Sequence, residues 1–318
     1  MPTLKEIKGR IGSVQSTLKI TSAMKLVSSA KLRKAQVAIE SMRPYEAQLQ
    51  RILAIVSGGE GNTFSSAKNY ADAPEKVSPP PTTINASVMA DTDRPSPATV
   101  IVAIASNSSL CGGFNANAIA KVKDLLKEYP SAVVYSVGRK MADAMRKAGY
   151  PSPADFSALA DHPSFGPAAD LAEKLMEDFY DGKVGRVFLV YNHFVSAARQ
   201  VPTVETFLSM EGDNSISSAN NYADDPGMES SPSEDYILEP SAKEIRKRLV
   251  PKTIKLKLYA ALLDSAAAEH AARTIAMQTA TDNGEDLLSE LTLQYNKGRQ
   301  QKITSEILDL ASGQGSNS

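Results

Sequence analysis

The chain has 318 residues, 42% of them hydrophobic, which is the length of two ordinary domains and the apolar content of an average globular chain. Lys plus Arg number 35 against 36 for Asp plus Glu, so bulk charge points neither to a nucleic-acid binder nor to a supercharged tail. A single cysteine, Cys111, excludes an intrachain disulfide framework and a CxxC metal or redox site and fits a reducing compartment, while the longest apolar run, Val100 to Ala105, falls far short of the ~20 residues a membrane-spanning helix needs.

From Thr3 onward the pattern is one amphipathic helix. Thr3 is placed as N-cap, and Glu6 completes the capping-box spacing. Ile7, Ile11, Val14, Leu18 and Thr21 then recur in alternating steps of four and three, and after a polar interruption at Lys25 and Ser28 the series resumes with Leu32, Ala35, Ile39, Met42 and Leu49. Only Pro44 interrupts it before Gly58, so a nearly continuous helix of roughly 80 Å is predicted, against a diameter of about 50 Å for a compact globule of this length. Such a helix must protrude.

Past a loose, linker-like stretch at 58–98, the run from Val100 to Ala105 reads as a buried strand, with further strands at Ala132–Val137, Arg186–Tyr191 and Thr203–Leu208. Helical patterns at 115–128, 139–149 and 167–180 lie between the first three, the signature of a mostly parallel, Rossmann-like α/β sheet. Residues 211–240 hold eight acidic side chains and no Lys or Arg, so this stretch is expected to be a solvated loop. After Pro251, Ile254, Leu258, Ala261, Ser265, Ala268, Ala272, Ile275 and Thr279 again step by four and three, and Leu287, Leu291, Tyr295, Ile303, Ile307 and Leu310 carry a stripe onward. Gly284 and Gly298 inside it predict a more pliable helix. Five segments result: a coiled-coil helix at 1–57, an insert at 58–98, the α/β domain at 99–210, an acidic insert at 211–240, and a second coiled-coil helix at 241–318. The two terminal helices would pair antiparallel as a stalk on a knob, the competing arrangement being a hairpin folded back on its own globule.

The most enzyme-like spot is the turn Ser106 to Asn115, at the place where doubly wound folds bind phosphate, but it is neither GxGxxG nor a P-loop, and a tight packed turn is the better reading. The histidines His162, His193 and His270 show no metal spacing, and each reads as a surface or packed imidazole. Asp282, Glu285, Asp286 and Glu290 read as a solvated face. No catalytic constellation, cofactor site or metal site is expected. Charge on the helices says more: residues 3–57 hold ten basic side chains against three acidic ones, and residues 241–260 seven against one, so both should meet acidic partners, though without the aromatic interleaving of a nucleic-acid surface.

Lys19-Ile20-Thr21-Ser22-Ala23-Met24-Lys25-Leu26-Val27 and Arg43-Pro44-Tyr45 near one end resemble the gamma subunit of F-type ATP synthases. The other end is closer still: Glu269-His270-Ala271-Ala272-Arg273, Ala280-Thr281-Asp282-Asn283, and Tyr295-Asn296-Lys297-Gly298-Arg299-Gln300 through Ile303-Thr304-Ser305-Glu306. Leu110-Cys111-Gly112-Gly113-Phe114-Asn115 and Tyr236-Ile237-Leu238-Glu239-Pro240 are internal landmarks of that family, and Gly298 and Ser109 stand where it usually has Ala and Gly.

The resemblance implies a rotor shaft inserted in a ring of three alpha and three beta subunits, its α/β knob seated with the epsilon subunit on the membrane c-ring, peripheral to the cytoplasmic side of a bacterial plasma membrane. It implies that Met24 and Lys25 lie near the lever of a beta subunit. Arg299, Gln300 and Thr304 would lie near a loop gripping the shaft, and Arg43, Pro44 and Tyr45 near the c-ring. Two other classes remain open on the residues alone: a basic coiled-coil adaptor and a nucleotide-dependent α/β enzyme with helical arms. The acidic segment 212–235 is expected to be a spacer or a regulatory latch.

Overall fold

Thr3 opens the first helix as its spacing predicts, its backbone N–H donating to Glu6 Oε2 at 3.0 Å while Glu6 N–H donates to Thr3 Oγ1 at 3.3 Å. The computed structural model describes residues 3–57, 98–209, 239 and 241–314; both inserts, the Tyr236 landmark among them, lie almost wholly outside the described residues. Helix α1 (Leu4–Ser57) runs unbroken through Pro44. Strand β1 (Ala98–Ile104) follows, then α2 (Phe114–Glu128), β2 (Val133–Val137), α3 (Arg139–Lys147), a one-turn α4 (Ser157–Asp161), α5 (Phe165–Tyr180), β3 (Val184–Phe194) and β4 (Gln200–Ser209). The chain closes its described part with α6 (Ala242–Gln314), 73 residues, or about 110 Å at ~1.5 Å per residue. It starts upstream of Pro251, capped by Ser241 Oγ accepting from Glu244 N–H at 3.3 Å, and passes through that proline, because neighbours on both sides hold the helix where one backbone bond is missing.

The sheet order is β2-β1-β3-β4, parallel except for β4, which pairs antiparallel with β3. Alternation along β1 sends Val100, Val102 and Ile104 to one face and Ile101 and Ala103 to the other. The second face is covered by α2 and α3. The first is covered by α5 and also by α6, whose Ile254, Leu258, Ala261 and Leu262 join the same core as Leu175, Phe179 and Leu189. The long C-terminal helix is thus a structural layer of the α/β domain before it becomes half of a coiled coil.

Helices α1 and α6 pair antiparallel over nearly the whole length of α1. Arg246 donates to the Val56 carbonyl at 3.3 Å near one end, and Ala35 and Ile39 pack with Leu263 and Ala267 in the middle. Further along, Thr281 Oγ1 donates to Thr21 Oγ1 at 2.9 Å, Leu18 meets Gly284, and Leu4 meets Gly298. The seam predicted on α1 is the observed one. On α6 it is met only in part: Leu291 and Tyr295 lie on the seam as predicted, but Ile275, Thr279, Leu287 and Ile303 are exposed, and the buried line runs through Met277, Thr281, Gly284, Leu288, Leu291, Tyr295 and Gly298. The stripe from Ile254 to Ala261 belongs to the face against the sheet, so continuing it in strict steps leads off the seam. The two glycines are points of close approach between the helices.

Candidate functional site

Beyond Ala276, which lies 3.9 Å from where a Cβ on Gly112 would stand, α6 continues for about 55 Å to Gln314 at ~1.5 Å per residue, paired with the first part of α1. A two-helix coil has one seam, and the rest of its surface faces outward. Here that surface carries Ile20, Leu26 and Val27 on α1 and Leu287, Leu293, Ile303, Ile307 and Leu308 on α6, with Leu26 68% and Leu293 69% exposed. Large apolar side chains spread around a projecting rod mark a contact surface, because monomeric proteins seldom leave so much apolar area in water.

The eight residues singled out in the sequence fall in three places along the pair. Met24 and Lys25 are half-buried midway, and Lys25 Nζ donates to Gln278 Oε1 of α6 at 2.7 Å. Arg299, Gln300 and Thr304 are exposed toward the far end, with Thr304 Oγ1 turned back onto the Gln300 carbonyl at 2.9 Å. Arg43, Pro44 and Tyr45 are exposed at the opposite, domain-side end of α1. About 20 residues of helix, or ~30 Å, separate each group from the next. They form three stations on one rod.

What fastens the rod to the domain escaped the sequence reading. Glu269 and Arg273, one turn apart on α6, form an ion pair at 2.7 Å with side chains 10% and 9% exposed, and Arg273 Nη2 also donates to Ser108 Oγ at 2.8 Å. Burial pushes the Glu269 carboxyl up, and the Arg273 cation holds it back. The turn Ser106–Asn115 is therefore a clamp on α6. Leu110 and Gly112 take positive φ of 67° and 57° to shape it, and Ser106 N–H and Oγ–H are held by Asn115 Oδ1 at 3.0 and 2.9 Å. Cys111, its sulfur accepting from Asn115 Nδ2 at 3.2 Å, is buried against Phe114 and Ala268. Among the described residues no group of three or more His, Cys, Asp or Glu is placed to hold a metal ion.

A second fastening lies at the end of β3, where Asp264 of α6 is 2.5 Å from His193 Nδ1 and accepts from Phe194 N–H at 3.2 Å. Beside it, Tyr191 donates to Glu205 Oε1 at 2.8 Å, and Lys257 lies 3.5 Å from Glu205. Glu46 of α1 closes this cluster. Burial raises its pKa, with Lys257 opposing and Glu205 adding to the shift. The polar break at Lys25 and Ser28 was the sequence signal for the first cross-helix bond; Glu269–Arg273 had the right i,i+4 spacing, while His193 and Asp264 are 71 residues apart and gave none.

The ATP synthase family profile matches residues 3–316. The ATP synthase gamma chain of Phocaeicola vulgatus is 45% identical over 98% of this chain and 99% of the relative, that of Bacteroides fragilis 43% over 98% and 99%, and that of Flavobacterium johnsoniae 38% over 98% of each. The chain belongs to the ATP synthase gamma-chain family. The gamma-chain fold is also found in the rotor of Euglena gracilis mitochondrial ATP synthase, with a TM-score of 0.59 at 19% identity over 94% of this chain and 98% of that one. A central stalk and c-ring structure from Tetrahymena thermophila matches with a TM-score of 0.52 at 21% identity over 82% of this chain and 99% of that one. Gamma-chain membership over residues 3–316 sets aside the adaptor reading, and stalk on knob replaces a folded-back hairpin.

Proposed function

We propose that this chain is the central shaft of an ATP synthase rotor, coupling rotation of a membrane ring driven by ion flow to ATP synthesis on beta subunits, with no active site of its own. The observation that carries the reading is the projecting α1–α6 pair, narrow in its seam and with large apolar side chains such as Leu26 and Leu293 on its outer surface, anchored to the α/β domain by Arg273 and Asp264. A chain of the same fold stands in the rotor of the Euglena gracilis mitochondrial ATP synthase.

A pair of unlike helices has no three-fold symmetry. Inside a ring of three alpha and three beta subunits it presents a different face to each beta subunit, so turning the shaft favours a different conformation of each in turn. Basic side chains of α1, Lys25 among them, complement an acidic lever on beta. Arg299, Gln300 and Thr304 are held by a gripping loop near the tip, and Arg43, Pro44 and Tyr45 face the membrane ring beside epsilon. The chain is held at the cytoplasmic face of a bacterial membrane through the complex, and among the described residues no helix is long and apolar enough to cross one.

Disulfide or bifunctional cross-linking tests these contacts, because the native Cys111 is buried and an introduced cysteine is then the reactive one. In the assembled complex, Met24→Cys and Arg299→Cys are expected to capture beta, and Tyr45→Cys the membrane ring or epsilon. Capture of the ring by Arg299→Cys would reverse the polarity of the shaft and overturn the reading.

A further inference from the structure

We propose that His193 and Asp264 form a proton-dependent latch that seats Phe194 between the two long helices and so sets how firmly the α/β domain grips them. The inference goes beyond the shaft reading and does not depend on which partners surround the rod. Phe194 is the last residue of β3 and packs against both interior clusters at the junction. One contains Ala35 and Ile39 of α1 with Leu263 and Ala267 of α6, and the other Cys111, Phe114 and Ala268. A single ring thus touches the surroundings of both helices and of the β1–α2 turn.

Asp264 holds that ring in place from both sides of its backbone. One carboxylate oxygen accepts from Phe194 N–H at 3.2 Å, and the other lies 2.5 Å from Nδ1 of the preceding residue, His193. The two side chains are 18% and 8% exposed, so water competes little for either. The other charged groups around the imidazole are Glu205 on β4, Lys257 on α6, and Arg43 and Glu46 on α1. With the ring protonated, the His193–Asp264 contact is a charge-assisted bond, roughly twice as strong as a neutral one; with the ring neutral, Nδ1 can still donate but the buried carboxylate loses the cation touching it.

The hydrogen bond that Asp264 accepts from Nδ1 raises the His193 pKa above its ordinary 6.5, with burial and Arg43 opposing and the Asp264 and Glu205 charges assisting. A raised folded pKa means stabilisation that is complete below the ordinary value and lost as pH rises through the folded one. The latch is closed on the acid side of neutrality and loosens toward alkaline pH.

The chain itself serves for the test, with imidazole NMR titration and hydrogen exchange of backbone amides 192–201 measured in parallel from about pH 6 to about pH 9. His193 is expected to titrate above 6.5, and intrinsic-rate-corrected protection at Phe194 is expected to fall as pH rises from 6.5 through the His193 midpoint, tenfold for each unit by which that midpoint exceeds 6.5. His193→Gln should show the low protection at every pH, and Asp264→Asn should lower the His193 midpoint. The proposal is overturned if Phe194 protection is independent of pH in the wild-type chain, if its fall lies outside the window between 6.5 and the His193 midpoint, or if His193→Gln keeps the wild-type profile. The first two outcomes need no variant to fold.

Discussion

A Cβ placed on Gly284 would stand 2.7 Å from Cδ2 of Leu18 and 3.3 Å from its Cγ, on the opposing helix. An added Cβ there would force the end of the Leu18 side chain to move, and Gly298 is a milder case at 3.2 Å from Leu4 Cδ2. Glycine inside a helix ordinarily lowers stability by about 0.5–1 kcal/mol, so its presence at two seam positions reflects packing.

Gly284→Val is accordingly expected to destabilise the full-length chain by about 1–3 kcal/mol through overpacking. Gly12→Ala, where an added Cβ meets nothing within 4 Å, is expected to stabilise it by about 0.5–1 kcal/mol. Thermal unfolding of the two variants beside the parent checks both signs. A Gly284→Val chain as stable as the parent would mean the helices are further apart than described.

Arg273→Met leaves the Glu269 carboxylate buried without its cation and removes the bond to Ser108, for an expected loss of about 3–5 kcal/mol. Adding Glu269→Gln should restore more than half of it, because the damage lies mainly in the orphaned charge. A double-mutant cycle by urea unfolding measures the coupling, and strict additivity would show that the two groups do not act as a pair.

His270 behaves opposite to His193. Burial, reinforced by the Arg273 and Lys31 charges, depresses its pKa from 6.5 to about 4. Above 6.5 the ring is neutral in both folded and unfolded chains; as pH falls from there toward 4 only the unfolded chain takes up the proton, and stability drains away by roughly 3 kcal/mol. His270→Gln is expected to flatten that acid limb in a stability–pH profile, and an unchanged slope would show that His270 is protonated in the folded chain.

Much of this architecture was legible in the residues. The α1 seam from Ile7 to Leu49 needed only its period, because α1 packs mainly on one partner and a single stripe records that partner. On helix α6 the same reasoning found Leu291 and Tyr295 but missed Met277 and Thr281, because the helix serves the sheet through Ile254 and Leu258 before it serves the coil, and its middle, Ala261 to Glu269, is buried on all sides. Period alone cannot say where one partner hands over to the next. The stations at Met24, Tyr45 and Arg299 came from family resemblance, since half-buried or exposed residues on a rod carry no local signature of what surrounds them. The His193–Asp264 and Arg273–Ser108 contacts required the fold, their partners being 71 and 165 residues apart.

In the proposed rotor the chain transmits torque through the α1–α6 pair without chemistry of its own. Single-molecule rotation tests it most directly: the full-length chain is assembled with alpha and beta subunits fixed to glass, and a bead is attached to the α/β domain through Lys123→Cys on the exposed face of α2. On addition of ATP the bead should turn in one direction in three steps per revolution, one for each beta subunit, and the unassembled chain should hydrolyse no ATP. Steady ATP hydrolysis by the assembly with the bead stationary would contradict the account.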